Sequence, residues 1–217
     1  MYDLPYFKEP DHQRIIDFLY ENPFAMLIGC SHNRAVATQV PMLIEIREDV
    51  IFLKGHIMRN TDHHKALEQN NEVLCVFTGG NAYVSASWYT QPNIASTWNY
   101  MSVQARGVLT FFNEEGLMQI LKQTTDQFEK GNQSPASFEA LPKEYVQRLA
   151  KAIIGFEIQV TSLEHVFKLS QNRDGESYKN IISNLDQGTA GAKTIAVEME
   201  KRSDTLFNNH NLSNTTV

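Results

Sequence analysis

Two-residue alternation, repeated in well separated segments, constrains this chain more than any other feature. From Met101 to Phe111 the residues Met101, Val103, Ala105, Leu109 and Phe111 are apolar, and Ser102, Gln104, Arg106 and Thr110 alternate with them. Successive side chains of a strand point to opposite faces, so this pattern predicts a strand with one face in a core. Ile154, Phe156, Ile158 and Val160 repeat it against Gly155, Glu157 and Gln159. The unbroken apolar run Phe24 to Cys30 predicts a strand, and Val73 to Phe77, apolar and β-rich, predicts a central one. A turn at Ser31-His32-Asn33-Arg34 precedes a predicted strand from Ala35 to Ile46, where Pro41 calls for an edge or a bulge. Val50 to Leu53 adds a third strand of a meander. Gly79-Gly80-Asn81 predicts a hairpin turn, with Ala82 to Ser87 as the return strand.

Helical spacing is confined to shorter stretches. Glu9-Pro10-Asp11 opens a helix carrying His12, Ile15, Ile16 and Leu19 on one face, and Asn22-Pro23 ends it. Thr61-Asp62 starts a short helix that runs to Gln69. Asn113 caps another, with Leu117, Ile120, Leu121, Thr124 and Phe128 along its buried side. A loop at Gly131 to Pro135 and a helix around Lys143 to Ala152 follow. Past Arg173 a weak helical tail is expected, punctuated by Gly188 and Gly191, and Ser203 to Val217 is polar and expected to fray. Strands joined by short turns, without βαβ alternation, predict an α+β fold that is mainly β, an antiparallel barrel decorated with helices. The expected organisation is a barrel domain over 1–173, a helical extension over 174–205 packed on it, and a flexible polar tail over 206–217.

Composition excludes several function classes. With 217 residues, 42% of them hydrophobic, the chain can bury a large core. Its apolar runs break within about ten residues, short of the ~20 a membrane span needs, and the opening residues lack a cationic start and apolar core, so no secretory signal is expected. Cys30 and Cys75 lie in apolar strands and read as reduced core residues of a cytoplasmic protein. The sequons at Asn132 and Asn211 then read as chance. Nineteen basic against twenty-five acidic residues give a net charge of −6, which disfavours DNA as a partner without forbidding a local patch. Neither a dinucleotide loop, an NTP loop nor a nucleophile elbow is present, and His56, His63 and His64 match no zinc spacing.

Three polar-aromatic segments stand apart. Gly55-His56-Ile57-Met58-Arg59-Asn60-Thr61 runs from a strand end into a helix start, where a guanidinium beside free helix N–H groups suits a phosphate; a capped helix with a solvated arginine explains it equally. Ala82-Tyr83-Val84-Ser85-Ala86-Ser87-Trp88-Tyr89 is followed by Ser96-Thr97-Trp98-Asn99-Tyr100, so both tryptophans fall within eleven residues, each beside hydroxyls or amides. Such groups suit a planar heteroaromatic ligand, and equally a subunit interface. The third is Phe167-Lys168-Leu169-Ser170-Gln171-Asn172-Arg173, with two cations and three hydrogen-bonding side chains after the last strand.

At these segments, and at Gly155-Phe156, the sequence resembles the PaiB-like family of FMN-binding negative transcriptional regulators, from Tyr6-Phe7 to roughly Leu185. The resemblance implies a split antiparallel β-barrel like that of pyridoxamine-phosphate-oxidase relatives, homodimeric, with FMN in clefts between subunits. It implies that Arg59 with Asn60 and Thr61 takes the phosphate, that Lys168 is a second cation reaching across the dimer, and that Trp88, Tyr89 and Trp98 wall the ring. Ser85, Ser87, Asn99, Ser170, Gln171 and Asn172 would hydrogen-bond the ribityl chain and ring rim, and His56 would position the arginine or face the cleft. The chain departs from the family pattern at Thr61-Asp62, where Asn-Pro is common, and at Ala86 and Ala95-Ser96, where prolines are common.

Two functions follow as expectations, a flavin-binding regulator and, as the alternative, an FMN-dependent oxidoreductase acting on a small molecule. Haem binding through His56 or His165 is a third, weaker expectation, since the split-barrel class also contains haem-binding members.

Overall fold

In the computed structural model, which describes residues 2–129 and 134–207, the alternating and apolar segments form seven strands. These are β1 (Phe24–Ser31), β2 (Arg34–Pro41), β3 (Leu43–Arg47), β4 (Val50–Met58), β5 (Glu72–Val84), β6 (Thr97–Phe111) and β7 (Ile153–Lys168). They hydrogen-bond in the order β2-β1-β5-β6-β7-β4-β3, and β1 with β2, β1 with β5, β3 with β4 and β4 with β7 are antiparallel. Six α-helices among the described residues accompany them: α1 (His12–Glu21), α2 (Asp62–Gln69), α3 (Glu114–Phe128), α4 (Lys143–Ala150), α5 (Gly175–Asp186) and α6 (Ala190–Phe207). The fold is the mainly β, antiparallel α+β class that the alternation predicts. No helix among the described residues is long and apolar enough to cross a membrane.

The chain divides into two units. A central unit spans Leu19–Phe77 and Gln104–Glu164; a terminal unit holds the described residues of Met1–Phe18, Thr78–Val103 and His165–Val217. In the central unit Ala25 and Leu27 of β1, Leu53 and Ile57 of β4, Cys75 and Phe77 of β5, and Phe156 and Ile158 of β7 point into the core. Burial of the Cys75 thiol pushes its pKa up to about 12, so it is an inert core residue. Asn113 caps α3 as expected, its side chain accepting from the Gly116 N–H, and Leu117 and Ile120 of that helix are buried. Gly155 makes this packing possible: a Cβ there would lie 3.2 Å from Leu117 Cα and from Ile120 Cδ1.

The terminal unit is built around Phe7, Phe18, Phe167, Tyr178, Ile195 and Met199. Phe18 and Phe167 meet at 5.2 Å between ring centroids, and the Tyr178 hydroxyl donates to Met199 O at 3.0 Å. Within this unit Glu198, 4% exposed, accepts from Arg14 at 2.9 Å and from Lys201 and Arg202 at 2.7 Å. Burial alone would raise its pKa, but the hydrogen bonds from Lys201, Arg202 and Arg14 outweigh that and hold the carboxyl at about 2.

Three expectations are corrected. Gly79-Gly80-Asn81 is no hairpin turn but the middle of β5. Here the glycines answer a close approach instead: a Cβ at Gly80 would sit 2.9 Å from Gly191 O and from Thr194 Cβ on α6. The predicted strand Ala35–Ile46 is two strands, β2 and β3, at opposite ends of the strand order. Pro41 has no N–H to continue a ladder, and the next N–H, of Met42, donates to Pro23 O at 2.8 Å instead. The weak helical tail is two well-packed helices, α5 and α6, with Tyr178, Ile181, Leu185, Ile195 and Met199 buried. Ser203 to Phe207 belong to α6; the remainder of the segment expected to fray, the sequon at Asn211, and most of the Gly131–Pro135 loop with the sequon at Asn132 lie outside the described residues.

Candidate functional site

The residues singled out in the sequence fall into two groups, four in the central unit (His56, Arg59, Asn60, Thr61) and ten in the terminal unit. The central group sits where β4 ends. Antiparallel register places Gly55 opposite Phe156 and His56 opposite Gly155, so two motifs about a hundred residues apart are cross-strand neighbours. Arg59 follows the strand, its backbone N–H donating to Ala152 O at 2.8 Å and its side-chain Nε to Ile153 O at 2.8 Å. Those two bonds fix the guanidinium stem beside a cavity of about 230 Å³, lined by Arg59, Glu114, Leu117, Ala150 and Lys151. Lys151 is a cation that reading the sequence missed; only the register of β4 with β7 brings it beside Arg59.

Asn60 turns the chain with φ +62°, a conformation Asn tolerates better than most residues. Its backbone N–H donates to His64 Nδ1 at 3.2 Å, and its side chain is exposed. Thr61 caps α2: its hydroxyl accepts from the His64 N–H at 3.2 Å and donates to Met58 O at 3.1 Å. His56 is half-buried, and desolvation lowers its pKa, which favours the neutral imidazole.

In the terminal unit, the start of β6 and the segment after β7 come together. Lys168 donates to Thr97 Oγ1 and, at 2.9 Å, to Trp98 O. Burial lowers its pKa, and Arg173 lowers it further. Asn99 is 0% exposed; its Oδ1 accepts from the Ser170 hydroxyl at 3.0 Å, and its Nδ2 reaches Met199 Sδ at 3.5 Å. Ser170, at φ +61°, turns the chain away from the strand. Gln171 ties the turn down, accepting from the Leu169 N–H at 2.8 Å and donating to Phe167 O at 2.5 Å. Asn172 is exposed.

The aromatic segment borders this cluster. Ser85 caps a 3₁₀ turn over Ala86–Trp88, its hydroxyl accepting from the Ser87 N–H at 3.2 Å and meeting the Ser87 hydroxyl at 2.9 Å. The Ala86 N–H donates to Ser96 Oγ at 2.9 Å, closing the loop. Trp88 is half-buried and Tyr89 buried. Trp98 is 54% exposed and packs edge-to-face with Tyr83, 52% exposed, at 5.9 Å. Tyr83 lies in the quoted motif, and the strand period that exposes Trp98 was the signal that it shares that surface. Arg173, counted among the segment's cations but given no role, lies over the Tyr89 ring at 4.5 Å. His165 has its Nε2 occupied, accepting from the Glu9 N–H at 2.9 Å.

Taken each by itself, the two groups carry the kinds of side chain that a phosphorylated flavin needs. Arg59 offers a fixed guanidinium at a cavity with room for a phosphoryl group, beside a second cation. Trp98 and Tyr83 offer an exposed aromatic surface beside polar groups.

Comparison with known proteins agrees. Residues 1–162 match a family model described as "Putative FMN-binding domain". The chain is 30% identical over 203 residues to Protease synthase and sporulation protein PAI 2 of Bacillus subtilis (strain 168), covering 93% of this chain and 98% of that protein. It is 29% identical over 184 residues to the uncharacterized protein AN0679 of Emericella nidulans, covering 70% and 73% of the two chains. Among solved structures it is similar to the flavocytochrome Anf3 of Azotobacter vinelandii (TM-score 0.59, 14% identity, 77% of this chain and 72% of that one). It is also similar to the FAD and heme binding protein of Mycobacterium smegmatis (TM-score 0.55, 15% identity, 74% and 72%). At such identities the likeness is one of fold, and that fold is the split antiparallel barrel.

Proposed function

The chain belongs to the FMN-binding domain family, its cofactor is FMN, and on that premise we propose that it is a flavin-binding regulatory protein of the PAI 2 kind. The observation that carries the reading is Arg59. Its Nε is spent on Ile153 O, and the residue lines a cavity together with Lys151. A pre-oriented fork beside a second cation binds a phosphate with little ordering cost. When bound, FMN supplies a ring that accepts and returns electrons.

The chain's own residues divide the remaining work. Thr61 and Asn60 hold the turn that aims Arg59. Asn99 and Ser170, bonded to each other inside the terminal unit, set the start of β6 and so the exposed face of Trp98. Tyr83 and Trp98 form an exposed aromatic pair of the sort an assembly covers, which supports a homodimer with the flavin between protomers. The net charge of −6 opposes direct DNA binding, so regulation runs through a partner in the cytoplasm.

The alternative, an FMN-dependent oxidoreductase, draws support from the flavocytochrome fold neighbour. Titrating FMN and riboflavin into the flavin-free chain tests the reading. FMN is expected to bind more tightly by at least about tenfold, the worth of one charge-assisted bond, and equal affinities would reject it. Glu114 also lines the cavity, so Glu114→Gln is expected to raise FMN affinity. Steady oxidation of NADH or NADPH by the FMN-loaded protein would favour the oxidoreductase.

A further inference from the structure

Arg173 stands immediately before Asp174, the N-cap of α5. Its guanidinium lies over the Tyr89 ring at 4.5 Å, and its Nε is buried without a hydrogen-bond partner. Tyr89 is 9% exposed, and its hydroxyl, on the rim of that same ring, is likewise buried and unpartnered. Lys168 bonds only neutral acceptors, Thr97 Oγ1 and Trp98 O. Neither cation pairs with a carboxylate among the described residues. The carboxylate next in sequence to Arg173 is committed elsewhere. Asp174 Oδ1 accepts from the Ser177 N–H at 2.9 Å, and its Oδ2 accepts from the Ser177 hydroxyl at 2.7 Å and the Thr90 hydroxyl at 3.2 Å.

Arg173, immediately before the N-cap of a twelve-residue helix, adds its charge to the helix's positive end, and after burial it is the second cause that lowers the pKa of Lys168. Buried donors left unpaired are costly and rare in folded chains. Folds keep such exceptions at functional sites, where a ligand removes the cost. An oxyanion would do so here. A guanidinium presents parallel N–H donors that match a carboxylate or phosphate, an ammonium adds a point charge, and a phenol adds a third donor.

We propose that Arg173, Lys168 and the Tyr89 hydroxyl form an oxyanion-binding site in the terminal unit, receiving the phosphate or carboxylate of a small molecule. The anion has two sources, the phosphate of the flavin itself or an acidic group on a separate ligand that meets the flavin. Only the choice between sources rests on the FMN reading; the site does not.

The test uses the full chain as wild type, Arg173→Gln and Tyr89→Phe. Inorganic phosphate is titrated against chloride at matched ionic strength, followed through the Arg Nε–H NMR signals of the flavin-free and FMN-loaded protein. FMN and riboflavin affinities are measured on the same samples by flavin fluorescence. If the site takes the flavin phosphate, Arg173→Gln lowers FMN affinity at least about tenfold and leaves riboflavin affinity unchanged. If it takes a separate anion, the FMN-to-riboflavin ratio is unchanged, while phosphate shifts the Arg173 signal of the FMN-loaded wild type and no longer binds Arg173→Gln. If the ratio is unchanged and phosphate leaves the Arg173 signal where it was, the proposal is overturned. Tyr89→Phe keeps the ring that Arg173 covers; should Arg173→Gln misfold, it carries the same comparison, with an expected loss of about threefold. A wild type that binds neither flavin fails the FMN reading alone, and the phosphate titration of the flavin-free chain still decides this one.

Discussion

Glu198 and Arg173 lie in the same unit and illustrate opposite uses of charge. Around Glu198, Arg14, Lys201 and Arg202 converge on one buried carboxylate, and Arg202 also reaches Glu9. This cluster ties α1 and the segment before it to α6 with each charge answered inside the protein. Around Arg173 and Lys168 no carboxylate among the described residues answers. Charge that serves the fold is paired within it, because an unpaired buried ion is strongly destabilising. Charge kept unpaired at a buried tyrosine is what the proposed oxyanion would answer.

The largest effect should come from breaking the paired cluster. Glu198→Ala removes the buried carboxylate shared by Arg14, Lys201 and Arg202 and is expected to cost about 3–5 kcal/mol in urea unfolding, a large fraction of a typical domain's stability. A loss below about 1 kcal/mol would mean the cluster is solvated rather than structural. The same carboxyl sets an acid limit. Its folded pKa of about 2 lies below the ~4.3 of an unfolded glutamate, so its contribution is fully present above about pH 4.3 and is lost as pH falls through about 2. Unfolding midpoints measured between pH 6 and 2 should fall over that window, and Glu198→Gln should flatten the fall.

The unpaired cluster should behave otherwise. Arg173→Ala in flavin-free protein is expected to change stability by no more than about 0.5 kcal/mol, because the lost cation–π contact is offset by relief of a buried, unpartnered Nε. Tyr89→Phe is expected to stabilise the flavin-free chain by up to about 1 kcal/mol, since it removes a hydroxyl that has no partner. A Tyr89→Phe protein less stable than wild type by that amount would place an unseen partner on the hydroxyl and erase the contrast with Glu198.

What the sequence discloses and what it conceals follow one physical line. Local rules were legible: the two-residue period of β6 and β7, the Thr61 cap of α2, the Asn113 cap of α3. Each depends on residues within a few positions of one another. Gly79-Gly80 was misleading because the reasons for its small residues lie far off in sequence, at Phe18 of α1 for Gly79 and at Gly191 and Thr194 of α6 for Gly80. Arg59 stood out as a cation between a strand and a helix start, whereas Lys151 needed the β4–β7 register to come into view. Asn99 drew attention as a polar residue beside a tryptophan. Carrying the period of β6 back from Met101 by two places sets it on the core face, where its amide is engaged by Ser170 and Met199. Polarity marks a residue that needs a partner, and only the fold says whether that partner is protein or ligand.

The most direct measurement is the absorption spectrum of freshly purified protein, wild type beside Arg59→Ala. The account predicts a flavin spectrum near one FMN per chain in the wild type, and its loss in a variant that keeps the same circular dichroism. A wild type that neither carries nor takes up FMN, or an Arg59→Ala protein that retains it undiminished, would contradict the assignment of the phosphate to that guanidinium.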